Sequence, residues 1–214
     1  MKRSRVWSVI LACVLVGGLA LPAVAGPVTD QLKGAIDRVI KVLDDPALKG
    51  EGHAPERRRA VRKIAEDIFD FAEIARRSLA RHWQPLTDKQ RAEFVSLFSD
   101  LLERSYISKI ELYGGEKIVY ANERVEGDQA TVATRIVTKN GTEVPIDYRL
   151  MKKSDKWLVY DVTIEGVSLV SNYRTQFNKI IQTASYDELV QKLKNKQGEL
   201  TAEEQPKKVT PVKK

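Results

Sequence analysis

Helices packed on one face of an antiparallel sheet, an α+β fold, are predicted by three features of this sequence. Apolar residues recur at helical spacing from Pro27 to Ile110, the period drops to two after Gly114-Gly115, and three turn pairs divide the stretch beyond those glycines into four strands. Helical spacing returns near Ser168.

From Pro27 to about Asp44, the apolar positions Val28, Leu32, Ile36, Val39, Ile40 and Leu43 fall on one face of a first helix. A glycine-rich linker, Lys49 to His53, ends it. Pro55 opens a second helix at a position where its missing N–H goes unused. Val61, Ile64, Ala65 and Ile68 form its apolar side, and Arg57, Arg58, Arg59, Arg62 and Lys63 form a basic face left to solvent. Asp70 with Glu73 has the form of a capping box and predicts a third helix carrying Phe71, Ile74, Ala75 and Leu79. Thr87 with Gln90 repeats the device. The helix it opens carries one stripe from Phe94 through Leu97, Phe98, Leu101, Leu102 and Tyr106 to Ile110, and Gly114-Gly115 stops it.

Strands are predicted over Glu116–Val125, Gln129–Lys139, Thr142–Lys152 and Lys156–Ile164. Gly127-Asp128, Asn140-Gly141 and Ser154-Asp155 are turn pairs of the short hairpin kind, so the four strands form an antiparallel meander. In the third strand Val144, Ile146, Tyr148 and Leu150 point one way while Glu143, Asp147 and Arg149 point the other. One face of the sheet is therefore apolar and must be covered. A last pair of helices, about Ser168 to Gln182 and Tyr186 to Lys196, adds to the cover, the second opened by Ser185 with Glu188.

The ends of the chain read differently. Lys2, Arg3 and Arg5, an apolar run from Val6 to Ala20 and Ala23-Val24-Ala25 make residues 1–25 a secretory signal with an A-x-A cleavage site. Cys13, the single cysteine, lies inside that run and leaves with it, so disulfides, thiolate catalysis and cysteine metal ligands are not expected. Residues 26–200 are long enough for one domain with a sizeable core. Residues 201–214 form a lysine-rich, proline-broken tail expected to be disordered. The net charge of +7 comes from the signal and from Lys207, Lys208, Lys213 and Lys214, with a balanced body between them. A nucleic-acid footprint would cluster on the folded domain, so no nucleic-acid partner is expected.

Catalytic constellations are scarce. His53 and His82 stand apart with no ligand-spaced partner, so no metal is expected. Gly166-Val167-Ser168 lacks the second glycine of a nucleophile elbow, and Ser168 is read as a helix cap. No phosphate-cradling glycine loop occurs. Asp161 and Glu165 are read as hydrogen-bond partners for Arg174 or backbone amides, not as a catalytic pair. No enzymatic activity and no cofactor are expected. Apolar and aromatic supply without catalytic groups suits a binding cavity or an ordinary core.

The segment WLVYDVTIEGVSLVSNYRTQF, Trp157 to Phe177, resembles the signature of the MlaC family of periplasmic phospholipid-binding proteins, also called toluene-tolerance auxiliary proteins of ABC transporters. The matching positions are Trp157, Val159, Asp161, Val162, Ile164, Glu165, Gly166, Val167, Ser168 and Leu169, then Asn172, Tyr173, Arg174, Gln176 and Phe177. Upstream, Trp83, Leu86, Thr87, Gln90, Arg91 and Phe94 resemble the family's W-x-x-L-[ST]-x-x-Q-[RK]-x-x-F pattern. The likeness covers nearly the whole chain after the signal, except the lysine-rich tail.

The resemblance implies a monomeric periplasmic carrier that exchanges diacyl phospholipid between an inner-membrane MCE-domain ABC transporter and an outer-membrane lipoprotein complex, in the service of outer-membrane lipid asymmetry. It implies that the helices enclose a lipid cavity against the sheet. Two acyl chains exposed to water would cost on the order of 20 kcal/mol, so both must be covered almost completely. The lining expected is Phe69, Phe71, Ile74, Leu97, Leu101, Tyr106, Val132, Ile136, Ile146, Tyr148, Val159 and Tyr173. Arg174 and Glu165 are expected to fix the strand-to-helix corner. The rival reading is an envelope adaptor or chaperone that binds protein alone.

Overall fold

The computed structural model describes residues 26–195; the signal segment 1–25, the lysine-rich tail 201–214 and the last residues of the expected domain lie outside it. Helix α1 spans Pro27–Asp44, α2 Ala54–Ile68, α3 Phe71–Leu79 and α4 Asp88–Glu111. Strands β1 (Lys117–Glu126), β2 (Gln129–Val137), β3 (Glu143–Lys153) and β4 (Lys156–Ile164) come next. A two-residue β5 (Val167–Ser168) then leads into α5 (Leu169–Thr183) and α6 (Tyr186–Lys194). Short 3₁₀ turns fall at Pro46–Leu48, Glu51–His53 and Ala80–His82. No described helix is long and apolar enough to cross a membrane.

The helix starts are set by side chains. Thr87 accepts from the Gln90 amide while the Gln90 side chain accepts from the Thr87 amide, a complete capping box. At α3 only half of the box forms. Asp70 accepts from the Glu73 amide at 3.0 Å, but the Glu73 carboxylate turns to Arg76 and Arg77. The Asp70 amide donates to the Val159 carbonyl at 2.9 Å instead, which ties the α2–α3 junction to β4. Ser168 and Ser185 cap α5 and α6 through the amides of Ser171 and Glu188.

The sheet is an antiparallel meander in the order β1-β2-β3-β4-β5. The predicted four strands gain a fifth because the chain reverses at Glu165-Gly166, where φ is 49° and 83°, and brings Val167 and Ser168 beside Ile164 and Thr163. A register shift between Arg149 and Leu150 places Leu150 opposite Val159 but Tyr148 opposite Val162. Tyr160 is the extra residue on β4, and the parity of that strand changes across it.

Two hydrophobic clusters result. One joins α1 and α2 to the sheet through Val28, Leu32, Ile64, Ile68, Val132, Leu150 and Val159. The other is helical, with Leu79, Phe94, Phe98, Tyr173, Phe177 and Leu189 joining α3, α4, α5 and α6. Its aromatic rings meet edge to face, Phe98 lying 4.9 Å from Tyr173 and 5.0 Å from Phe177 between centroids. Phe69 packs against both clusters. Helix α4 packs on α3 and α6 but stands off from α2 and from the strands.

The Gly166 corner yields a stability prediction. A Cβ there would meet nothing within 4 Å, so any cost of substitution is conformational. Gly166→Val forces a β-branched residue into left-handed φ and should cost about 1–3 kcal/mol. Gly166→Asn should cost clearly less, because asparagine tolerates that region. Thermal melting of the two variants separates them; equal melting points would show the corner to be unconstrained.

Candidate functional site

Between the two clusters lies a cavity of about 420 Å³, open on one side. Helix α2 supplies Val61 and Ala65, and Phe69, Phe71 and Ile74 line it at the α2–α3 junction. Helix α4 supplies Val95, Leu102, Tyr106, Ile107 and Ile110. Strands β3 and β4 present Ile146, Tyr148, Val162 and Ile164, and Leu169 stands at the start of α5. The volume falls within the range of about 300–1,000 Å³ typical of small-molecule sites, and the lining is predominantly apolar, with Ser96, Ser99 and the buried Asp161 among its polar members.

The tyrosines report the water-poor character of this space. Burial pushes the Tyr106 hydroxyl up to about 12, with the neighbouring Tyr173 adding to the shift, and burial alone pushes Tyr148 to about 12. Among the described residues no group of three histidine, cysteine or carboxylate side chains is placed to hold a metal. The arrangement offers coverage for an apolar molecule.

The rim is ionic. Arg62 of α2 donates to Asp100 at 2.9 Å and to Glu103 at 2.6 Å on α4, and also to Glu66 one turn along its own helix. Further along the same seam, Glu111 accepts from Arg57 at 2.8 Å and from Arg58 at 3.0 Å. These bonds hold the Glu111 carboxyl below its ordinary range, that of Arg58 most strongly. Two polar straps thus cross from α2 to α4, the Arg62 strap at the cavity itself and the Glu111 strap beyond Ile110 on the same seam. The basic face of α2 read from the sequence as left to solvent is in part this rim.

Six of the twelve lining residues expected from the sequence meet at the cavity: Phe69, Phe71, Ile74, Tyr106, Ile146 and Tyr148. The other six lie elsewhere. Leu101 and Tyr173 are buried in the helical cluster, and Leu97 packs against it. Val132 and Val159 are fully buried under α1 and α2, and Ile136 sits half-buried on β2 opposite Val144. The expected lining left out Leu102 and Ile110, which belong to the stripe singled out on α4, and Val95 and Ile107, which lie beside that stripe. It also missed Val162 and Ile164, because strict alternation along β4 does not survive the bulge at Tyr160.

The corner residues are placed firmly. Asp161 accepts from Ser168 Oγ at 2.7 Å and from the Val170 amide at 3.0 Å. Arg174 donates not to Asp161 or Glu165 but to the Arg77 carbonyl at 3.0 Å, linking α5 to α3. Ser168 is a cap and an Asp161 partner, as its place between strand and helix suggests.

A family model described as MlaC protein matches residues 33–195. Among curated proteins, the intermembrane phospholipid transport system binding protein MlaC of Haemophilus influenzae is 26% identical over 138 residues, covering 61% of this chain and 64% of that protein. Toluene tolerance protein ttg2D of Pseudomonas putida is 24% identical over 107 residues, covering 46% of this chain and 48% of that protein. The matches therefore span less than two thirds of the length of these curated relatives. A solved structure, a phospholipid-binding protein from Ralstonia solanacearum in complex with a phospholipid, superposes with a TM-score of 0.71 at 26% identity, covering 79% of this chain and 96% of that chain.

The straps generate a test. Glu111 and Arg57 are largely shielded from solvent while Arg58 is half exposed, so the strap is worth somewhat more than the roughly 0.2–1 kcal/mol of a fully exposed pair and is still partly screened by salt. Glu111→Gln should therefore lower stability by no more than about 1–2 kcal/mol while speeding the entry of an apolar fluorophore into the cavity several-fold. Raising the salt concentration should speed entry into the unaltered protein in the same sense. Stopped-flow fluorescence measures both, and entry rates indifferent to substitution and to salt would remove the straps from the route.

Proposed function

The chain belongs to the MlaC protein family, and from that membership and the shape of the cavity we propose that it carries diacyl phospholipid across the periplasm. The observation that carries the reading is the apolar cavity between two separate hydrophobic clusters, in a fold matching one solved with a phospholipid bound. The family serves transport, not catalysis.

The physical task is to keep two acyl chains dry at about 0.8 kcal/mol per methylene. Ile146, Tyr148, Val162 and Ile164 offer a flat apolar floor, and the α4 stripe from Val95 to Ile110 offers a roof. Chains entering between them replace an unfilled space, so binding does not require a packed core to be pried apart. The headgroup stays at the rim beside Arg62, Glu66 and Glu103, where charges of both signs give little reason to prefer one headgroup. We assign the donor and acceptor roles to an inner-membrane MCE-domain ABC transporter and an outer-membrane lipoprotein complex. The twelve residues named from the sequence divide accordingly. The six at the cavity are proposed as lipid contacts and Leu97, Leu101, Val132, Val159 and Tyr173 as its supporting wall, while Ile136 on β2 belongs to neither.

Native mass spectrometry of the protein purified from the cell envelope should show added mass matching diacyl phospholipids of mixed headgroup. A bare mass that persists after incubation with liposomes would sink the carrier reading and favour an adaptor that binds protein alone.

Pocket and wall should answer differently to added volume. Ile146→Trp places the ring in the cavity and should cut bound lipid by half or more with little loss of stability. Leu101→Trp overpacks the helical cluster and should cost about 1–3 kcal/mol. Melting of delipidated protein, measured beside lipid stoichiometry, reads both.

A further inference from the structure

A second concave site lies on the surface made by the end of α3, the 3₁₀ turn Ala80–His82 and the middle of α5, and it shares no lining residue with the apolar cavity. It is an open dimple of about 380 Å³ lined by Arg81, His82, Arg174, Thr175 and Asn178. We propose that it binds an acidic segment of a protein partner, with the guanidinium groups of Arg81 and Arg174 taking its carboxylates.

The charge balance of this surface is one-sided. No acidic residue occurs from Ile74 to Thr87 or from Leu169 to Thr183, while Arg76, Arg77, Arg81, Arg174 and Lys179 all do. Arg76 and Arg77 are already committed to Glu73, whose carboxyl they hold down at about 2, Arg76 contributing most. Arg81 and Arg174 have no carboxylate partner among the described residues. Arg81 donates to the Asn178 side-chain oxygen at 2.8 Å and Arg174 uses its Nε on the Arg77 carbonyl at 3.0 Å. The Arg174 Nη groups and one Arg81 Nη are left without a protein acceptor among the described residues. Planar forks of this kind match carboxylates in bidentate geometry, and a cleft of one sign concentrates the field on what enters it.

The dimple is also preformed. Ala80 ends α3 at φ 49° and ψ −119°, a conformation costly for a residue with a Cβ, and this turn sends Arg81 and His82 back over α5. Asn178 Oδ1 accepts from Arg81, and the His82 Nε2 atom stands 3.0 Å from the same oxygen and 3.4 Å from Arg81 Nε. A protein segment fits this surface better than a bilayer does. The exposed large apolar residues among those described, Ile110, Leu112, Val125 and Val167, all lie elsewhere, so nothing here would insert into lipid.

The probe is an octaglutamate peptide added to isotope-labelled protein at low salt, followed through the arginine Nε–Hε resonances. Those of Arg81 and Arg174 should shift together, with binding that weakens as salt rises. Arg81→Gln with Arg174→Gln should weaken binding about tenfold or more. Arg81→Lys with Arg174→Lys should fall between, keeping charge but losing the fork. Arg59→Gln with Lys63→Gln on α2 should leave binding unchanged. Lipid content measured on the same samples should not move, which separates failure here from failure of the carrier reading. Shifts spread evenly over all basic faces, no shift at Arg81 and Arg174 in the unaltered protein, or unweakened binding by the glutamine pair would each overturn the proposal. So would tighter, Arg81- and Arg174-dependent binding to phosphatidylglycerol vesicles than to the peptide.

Discussion

Asp161 is a buried carboxylate on the last long strand, and its two oxygens receive Ser168 Oγ at 2.7 Å and the Val170 amide at 3.0 Å. Arg149 on the neighbouring strand approaches it at 3.5 Å. A buried charge left without such partners would be costly, so the sequence after β4 can leave the sheet in only one direction. That direction sets α5. Tyr173 and Phe177 on α5 form, with Phe94 and Phe98, the aromatic centre of the helical cluster, and through them α5 sets α4. The distance of α4 from the sheet is in turn the height of the cavity. A hydrogen-bond arrangement at one corner thereby decides whether there is a space to fill.

Holding a cavity open runs against the tendency of interiors to pack at crystal density. The chain resolves this by building two closed clusters instead of one. Val132, Leu150 and Val159 are fully buried under α1 and α2, and Phe94, Phe98 and Phe177 are fully buried among the helices, so each part satisfies itself. The strip left over on β3 and β4 and the apolar residues that α4 turns to the cavity face one another without having to meet. Their separation is maintained by the clusters, and the apolar surface they leave is what a lipid chain can use.

Much of this was legible in the sequence because it rests on local rules. Thr87 with Gln90, Ser185 with Glu188 and the turn pairs Gly127-Asp128 and Asn140-Gly141 act within four residues, and the helices and hairpins begin and end where those signals lie. The alternation of Ile146 and Tyr148 likewise gave two wall residues directly. What could not be read was rotation and parity. Leu101 and Leu102 are adjacent in sequence but about 100° apart around α4, and only the docking of α5 decides that Leu101 joins the core and Leu102 the cavity. On β4 the bulge at Tyr160 moves Val162 and Ile164 onto the face of Val159, and no residue type in that stretch announces it. Leu102 shows that the division is not absolute, since it belongs to the helical cluster and borders the cavity as well.

The same division explains why the seam between α2 and α4 is ionic while the opposite seam is not. At the closed side, Phe69 packs against both clusters, the Asp70 amide bonds the Val159 carbonyl, and Lys153 pairs with the Asp70 carboxylate. Separating the halves there would expose apolar surface at about 25 cal/mol per Å² and break a buried junction. At the seam between α2 and α4, the bonds of the half-exposed Arg58 and Arg62 exchange for water at little net cost, and that of the more buried Arg57 at a larger one. The two seams therefore differ in kind: the junction at Phe69 is apolar and tied to β4, and the seam between α2 and α4 is crossed by charged side chains.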